Sequence, residues 1–222
     1  MEEKKFIGVR KEEFAIKDFV KKNFGKGKIS NVRIEYTPVG EKIVIGTHRP
    51  GIVIGRSGET IAALTETLKK RFKMENPHID IEEIKNVDFD PQLMADEIAL
   101  GLERFGSIRF KSIGYKMLTR IQKAGALGCE LRLSGKLPSE RAKSWRFAFG
   151  YLKKTGGGAE VVDYAESVGQ TPKGVIGIKV SILSPKVKII DRVEINDEAM
   201  EKMKRNNVEK FEEKIKKKKT KK

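Results

Sequence analysis

Ile52-Val53-Ile54-Gly55-Arg56-Ser57-Gly58-Glu59-Thr60-Ile61 is the stretch that decides how the first part of the chain folds. Two glycines bracket Arg56-Ser57 between an apolar turn and a run in which Ile61, Leu64, Leu68 and Phe72 recur at the spacing of one α-helical face. Glycine lacks a Cβ, so the backbone at 55 and 58 can meet a phosphate closely. Amide groups opening a helix point at the same anion. Ile52-Val53-Ile54 and Ile61 are expected to anchor both flanks in a core, leaving Arg56 free to reach a sugar-phosphate backbone.

On the N-terminal side, Val32, Ile34 and Tyr36 alternate with Arg33 and Glu35, and Pro38-Val39-Gly40-Glu41 turns the chain into the β-rich run Lys42 to Thr47. Upstream, Phe14, Ile16, Phe19, Val20 and Phe24 predict a helix from Lys11 to Phe24, stopped by Gly25-Lys26-Gly27. On the C-terminal side the glycine-opened helix ends before Asn76-Pro77, and Ile79-Asp80-Ile81 with Ile84 supplies a further strand. The order is helix, strand, strand, helix, strand. A bare G-x-x-G usually marks only a turn. In this order, however, V-I-G-R-S-G-x-x-I resembles the KH domain in its type II variant. That resemblance implies a loop that clamps single-stranded nucleic-acid backbone, with Gly55, Arg56, Ser57 and Gly58 as the clamp and Arg49 adding charge.

A second unit opens at Asp90-Pro91, an N-cap followed by proline in the first turn, and continues through Met94, Ile98, Leu102 and Phe105. Ser107 to Ala124 repeats the helical pattern with Phe110, Ile113, Met117, Leu118 and Ile121, ending at Gly125. Cys129 to Leu133, Phe147 to Leu152, Val161 to Ala165 and Val175 to Leu183 read as strands. The fold class is α+β throughout, the second domain being two helices packed on a β-sheet. Gly125-Ala126-Leu127-Gly128-Cys129-Glu130-Leu131 leading to Ser134-Gly135-Lys136-Leu137, and Gly174-Val175-Ile176-Gly177-Ile178-Lys179-Val180, resemble signatures of the ribosomal S3 family's C-terminal domain. Arg49-Pro50-Gly51 and Glu75-Asn76-Pro77 are closer to its archaeal and eukaryotic members.

The expected organisation is a type II KH domain over 1–86, an S3 C-terminal domain over 87–185 and a lysine-rich tail over 186–222. The resemblance implies a structural constituent of the small ribosomal subunit, in its head. The KH domain would lie on rRNA and the C-terminal domain near where mRNA enters, with neighbouring head proteins as partners. In that family, basic residues face mRNA from the start of the second C-terminal-domain helix, where Lys111 stands with Lys116 near it; Ser112 occupies a position where a second basic residue is common. Lys111, Lys116, Arg120 and Lys123 are the expected RNA-binding basic face, with Arg109 beside them. Lys136, Arg141, Lys143 and Arg146, around a packed Trp145, are possible further RNA contacts.

Composition agrees with a polyanion partner. The 222 residues hold 47 Lys and Arg against 31 Asp and Glu, a net charge of +16, and basic side chains bind nucleic acid by displacing the counterions of its phosphates. No run of about 18 apolar residues is present to span a bilayer, and the N-terminus lacks an apolar signal core. A soluble, cytoplasmic, ribosome-bound protein is expected, with no membrane partner and no homo-oligomer. Cys129, the single cysteine, excludes an intramolecular disulfide and is expected in the core. His48 and His78, both expected at the surface, are too few for a multi-histidine metal site. No G-x-x-x-x-G-K-[ST] occurs, and Asp80, Glu82 and Glu83 are expected to be solvated. No catalytic residue, metal or cofactor is therefore expected. The alternative reading is a free KH-domain RNA-binding regulator or ribosome-assembly factor.

Overall fold

A computed structural model describes residues 2–38, 40–72, 74 and 76–187 of the chain. Helix α1 spans Glu2–Phe24, with Ile16, Val20 and Phe24 buried at helical spacing. It begins before the expected Lys11 because its first turns are rich in Glu and Lys, which favour helix without needing a core. Phe14, expected on the buried face, is 73% exposed. Strands β1 (Ile29–Thr37) and β2 (Gly40–Thr47) form the expected antiparallel hairpin. A helix absent from the sequence reading, α2 (Pro50–Ile54), follows; proline near its start presets the backbone, and the Gly55 amide closes on the Gly51 carbonyl at 3.0 Å.

The chain then passes through a 3-10 turn (Arg56–Gly58) and α3 (Glu59–Phe72) to β3 (His78–Glu83). β3 lies parallel to β2, with Ile43 opposite Ile79 and Ile45 opposite Ile81, a pairing that requires a crossover rather than a tight turn. The sheet order is β1-β2-β3. Its core joins Val20 of α1, Val32, Ile43 and Ile45 of the sheet, and Leu64 and Leu68 of α3.

The second sheet is antiparallel in the order β5-β4-β7-β6, built from β4 (Gly128–Gly135), β5 (Lys143–Gly150), β6 (Asp163–Thr171) and β7 (Gly174–Leu183). One face is covered by α4 (Pro91–Phe105) and α5 (Phe110–Lys123). Asp90 caps α4 as expected, accepting from the amides of Gln92 at 2.9 Å and Leu93 at 3.2 Å. Several boundaries differ from expectation: β4 runs past the expected Cys129 to Leu133 at both ends, β5 starts at Lys143 and ends at Gly150, β6 starts at Asp163 and runs on to Thr171, and a 3-10 turn (Ser107–Arg109) precedes α5. Phe105, expected in the stripe of α4, is 53% exposed.

The loop between α1 and β1, together with the start of β1, is tied to the second sheet's layer. The Lys26 ammonium donates to Glu103 and to the Val168 carbonyl, both at 2.7 Å. The Gly27 amide donates to the Asp96 carboxylate at 2.8 Å, and the Ser30 hydroxyl bonds Asp90. Asp96 is buried and also accepts from Ser167 at 2.7 Å and Gln92 at 3.1 Å. Both sheets thus belong to one compact body that extends to Val187. The expected tail lies outside the described residues except for Lys186 and Val187.

Cys129 is fully buried on the inner face of β4. Burial, and then the charge of Glu130, push its thiol pKa up to about 12. Because the thiolate is the reactive species, iodoacetamide at mildly alkaline pH is expected to leave the native protein unmodified and to label the denatured chain. Equal labelling rates in the two states would show an accessible thiol.

Candidate nucleic-acid interface

The Gly55–Gly58 loop is set by backbone geometry. Gly55 adopts φ 76° with ψ −176°, a combination open essentially to glycine alone. A Cβ there would fall 2.0 Å from the Thr60 hydroxyl oxygen. Ser57 at φ 53° and Gly58 at φ 79° complete the turn before α3 begins at Glu59. Arg56 and Ser57 are exposed, as is Arg49, and the side chains of all three make no ion pair or hydrogen bond among the described residues, while the Arg49 backbone amide donates to the Thr47 hydroxyl at 3.1 Å. The loop therefore presents a free guanidinium and a hydroxyl on a tightly turned backbone. Only the middle residue of Ile52-Val53-Ile54 anchors it. Val53 is fully buried, whereas Ile52 and Ile54 are 37% and 40% exposed, because successive residues of a one-turn helix face different directions.

The basic residues of α5 fall into two groups. Lys116 and Lys123 are exposed and unpaired among the described residues, and Lys111 sits over the Trp145 ring with its ammonium 4.8 Å from the centroid. Arg120 instead fastens α5 to its neighbours, with Nε 2.7 Å from Asp88 and Nη1 within 3.0 Å of both carboxylate oxygens of Glu97. In the other cluster, Lys136, Arg141 and Lys143 are exposed, while Arg146 pairs with Glu130 at 3.0 Å. Trp145 packs against Phe110 at 5.2 Å between centroids, the packing role expected of it.

His48 differs from expectation: it is half-buried, and burial, followed by the positive charge of Arg49, lowers its pKa. His78 is exposed as expected. Asp80, Glu82 and Glu83 are exposed, the first two pairing with Lys42 at 3.0 Å and Arg33 at 2.8 Å. Among the described residues no group of His, Cys, Asp and Glu is placed to hold a metal, and no helix is long and apolar enough to cross a membrane.

The sequence reading passed over Arg132, Lys153, Lys154 and Lys179. The first and last lie on the face of the second sheet opposite the helices, Arg132 directly across from Lys179. Strand alternation would have found both, since buried Leu131, Leu133, Ile178 and Val180 leave 132 and 179 pointing outward.

Residues 15–89 match the KH domain model, and residues 98–182 match the model described as Ribosomal protein S3, C-terminal domain. The chain is 39% identical to Small ribosomal subunit protein uS3 of Methanocaldococcus jannaschii, in an alignment covering 90% of this chain and 95% of that protein. The chain belongs to the uS3 family. Identity to the uS3 of Archaeoglobus fulgidus is 39%, over 88% of this chain and 84% of that one, and to the uS3 of Methanococcus maripaludis 33%, over 88% and 92%. The uS3 assignment covers both sheets, so the Gly55–Gly58 loop and the α5 face both lie inside the matched region.

Proposed function

We propose that this protein is a structural constituent of the small ribosomal subunit, binding rRNA in the head and bordering the path by which mRNA enters. The observation that carries this reading is the near full-length likeness to proteins named Small ribosomal subunit protein uS3. The net charge of +16 and the unpaired Arg56 beside an exposed Ser57 support it. Residues 1–86 act as the KH module, with Gly55, Arg56, Ser57, Gly58 and Arg49 against the rRNA backbone. Residues 87–185 act as the second module, with Lys111, Lys116 and Lys123 toward mRNA. Arg120 contributes by holding that face in place through Asp88 and Glu97. Lys136, Arg141 and Lys143 extend the basic surface. Neighbouring head proteins complete its surroundings, the protein acts as a single copy in the cytoplasm, and no catalytic group is required.

Sedimentation of a native lysate on a sucrose gradient tests this reading. The chain is expected to travel with the small subunit into polysomes and to stay there through a high-salt wash. Recovery at the top of the gradient, or only with assembly intermediates, would favour a free RNA regulator or an assembly factor.

A further inference from the structure

The face of the second sheet that α4 and α5 leave open carries a row of like charges. In the strand register Arg146 of β5 lies opposite Arg132 of β4, and Arg132 lies opposite Lys179 of β7. Directly opposed like charges destabilise a sheet. At the ends of the row the charge is answered from within: Glu130 accepts from Arg146 at 3.0 Å and from Lys154 at 2.7 Å, and Glu166 accepts from Lys179 at 2.7 Å. Burial pushes the Glu130 carboxyl up, but the two cations outweigh it and hold its pKa below the usual range. Arg132, in the middle, is exposed and has no carboxylate partner among the described residues. Beside it an open cavity of about 430 Å³ is bordered by four cations, Arg132, Lys153, Lys154 and Lys179, one carboxylate, Glu130, and the ring of Tyr164.

We infer that this open face is a second RNA-binding surface, which seats backbone phosphates between Arg132 and Lys179 with Lys154 at the rim. The row costs stability in the free protein and is compensated when a phosphate lies across it. The arrangement suits sugar-phosphate backbone rather than a base-specific contact, since cations dominate the site and Tyr164 is its one exposed aromatic. The surface is on the opposite side of the sheet from the α5 lysines, so the module is built to sit between two RNA segments. This rests on the reading that the partner is RNA, and not on which RNA is bound.

The test is Arg132→Thr in the full-length protein, with Arg132→Lys as the charge-keeping control. Threonine suits a strand, so the substitution removes charge with little backbone effect. Two changes of opposite sense are expected. The Tm of the free protein at low salt rises by about 1–3 °C as the repulsion is relieved. Affinity for a mixed-sequence single-stranded oligoribonucleotide falls about 3- to 10-fold, and the slope of log K against log salt becomes shallower by about 0.7, one phosphate contact fewer. Arg132→Lys restores the wild-type slope. Unchanged affinity and slope in Arg132→Thr overturn the inference and turn attention to an acidic protein surface as the occupant. A fall in Tm accompanying the affinity loss overturns it too, because the loss then reflects a damaged fold. Failure of the wild-type chain to bind RNA would overturn the broader functional reading. If the wild type binds and loop substitutions at 56 and 57 weaken it while Arg132→Thr does not, the second surface alone fails.

Discussion

Asp96→Ala is expected to lower the unfolding free energy by about 3 kcal/mol, because it leaves one buried and two half-buried donors without an acceptor, and to separate one unfolding transition into two. The Asp96 carboxylate is 6% exposed and collects the Gly27 amide, the Ser167 hydroxyl and the Gln92 side-chain amide. The first donor belongs to the loop after α1, the second to β6 and the third to α4, so a single group joins both sheets' layers. Asp96→Asn retains one acceptor oxygen but turns an NH2 toward donors, and an intermediate loss is expected. Trp145, the only tryptophan, lies in the second sheet, so its fluorescence follows that half while far-UV circular dichroism follows both. In the wild type the two denaturation curves should coincide; in Asp96→Ala they should part, with Trp145 reporting the later transition. Coincident curves at an unchanged midpoint would remove Asp96 from the coupling.

The same junction contains Glu103, whose pKa is lowered first by the Gln170 amide and then by Lys26. A depressed carboxylate contributes stability that is complete above the ordinary carboxylate range and is lost as pH falls through its folded-state value. Acid should therefore weaken the junction in the same direction as Asp96→Ala.

Elements with strong apolar periodicity were legible in the sequence, and weakly periodic ones were not. β7 alternates Ile176, Ile178, Val180 and Ile182 inward, a pattern that predicts the strand to within a residue. β6 directs Ala165, Ser167 and Gly169 inward; α4 comes so close that a Cβ on Gly169 would lie 3.5 Å from the Ala99 carbonyl oxygen. Small inward residues leave no hydrophobic alternation to read, which is why the sequence pattern ends at Ala165 while the strand runs on to Thr171. β5 opens with Lys143 and Ser144, and its apolar signal begins only at Trp145. Arg120 illustrates a different limit: its place on α5 was readable, but its partners Asp88 and Glu97 come from other elements, and only tertiary structure reveals that it is engaged. The glycine loop was legible because the φ and ψ found at Gly55 demand the residue that the sequence supplies.

Arg56→Asp combined with Ser57→Asp is expected to reduce RNA affinity of the full-length protein by about 10- to 100-fold at low salt and to make the salt dependence shallower. The pair exchanges one positive charge for two negative ones at the point where the loop protrudes. Both side chains are exposed, and neither makes a contact that holds the fold among the described residues. Ser57 sits at φ 53°, a left-handed conformation that aspartate tolerates better than most residues, so the variant should keep its Tm within about 2 °C, as surface substitutions usually do. Gly55→Ala provides the contrast. Its Cβ would meet Thr60 at 2.0 Å, and the required ψ lies outside what alanine adopts at positive φ, so affinity and stability should fall together. Two variants one residue apart thus separate charge from geometry: the first loses binding with the fold intact, the second loses both. Unchanged affinity in the folded double variant would take the loop out of the RNA surface and leave the basic faces of the second module to account for binding.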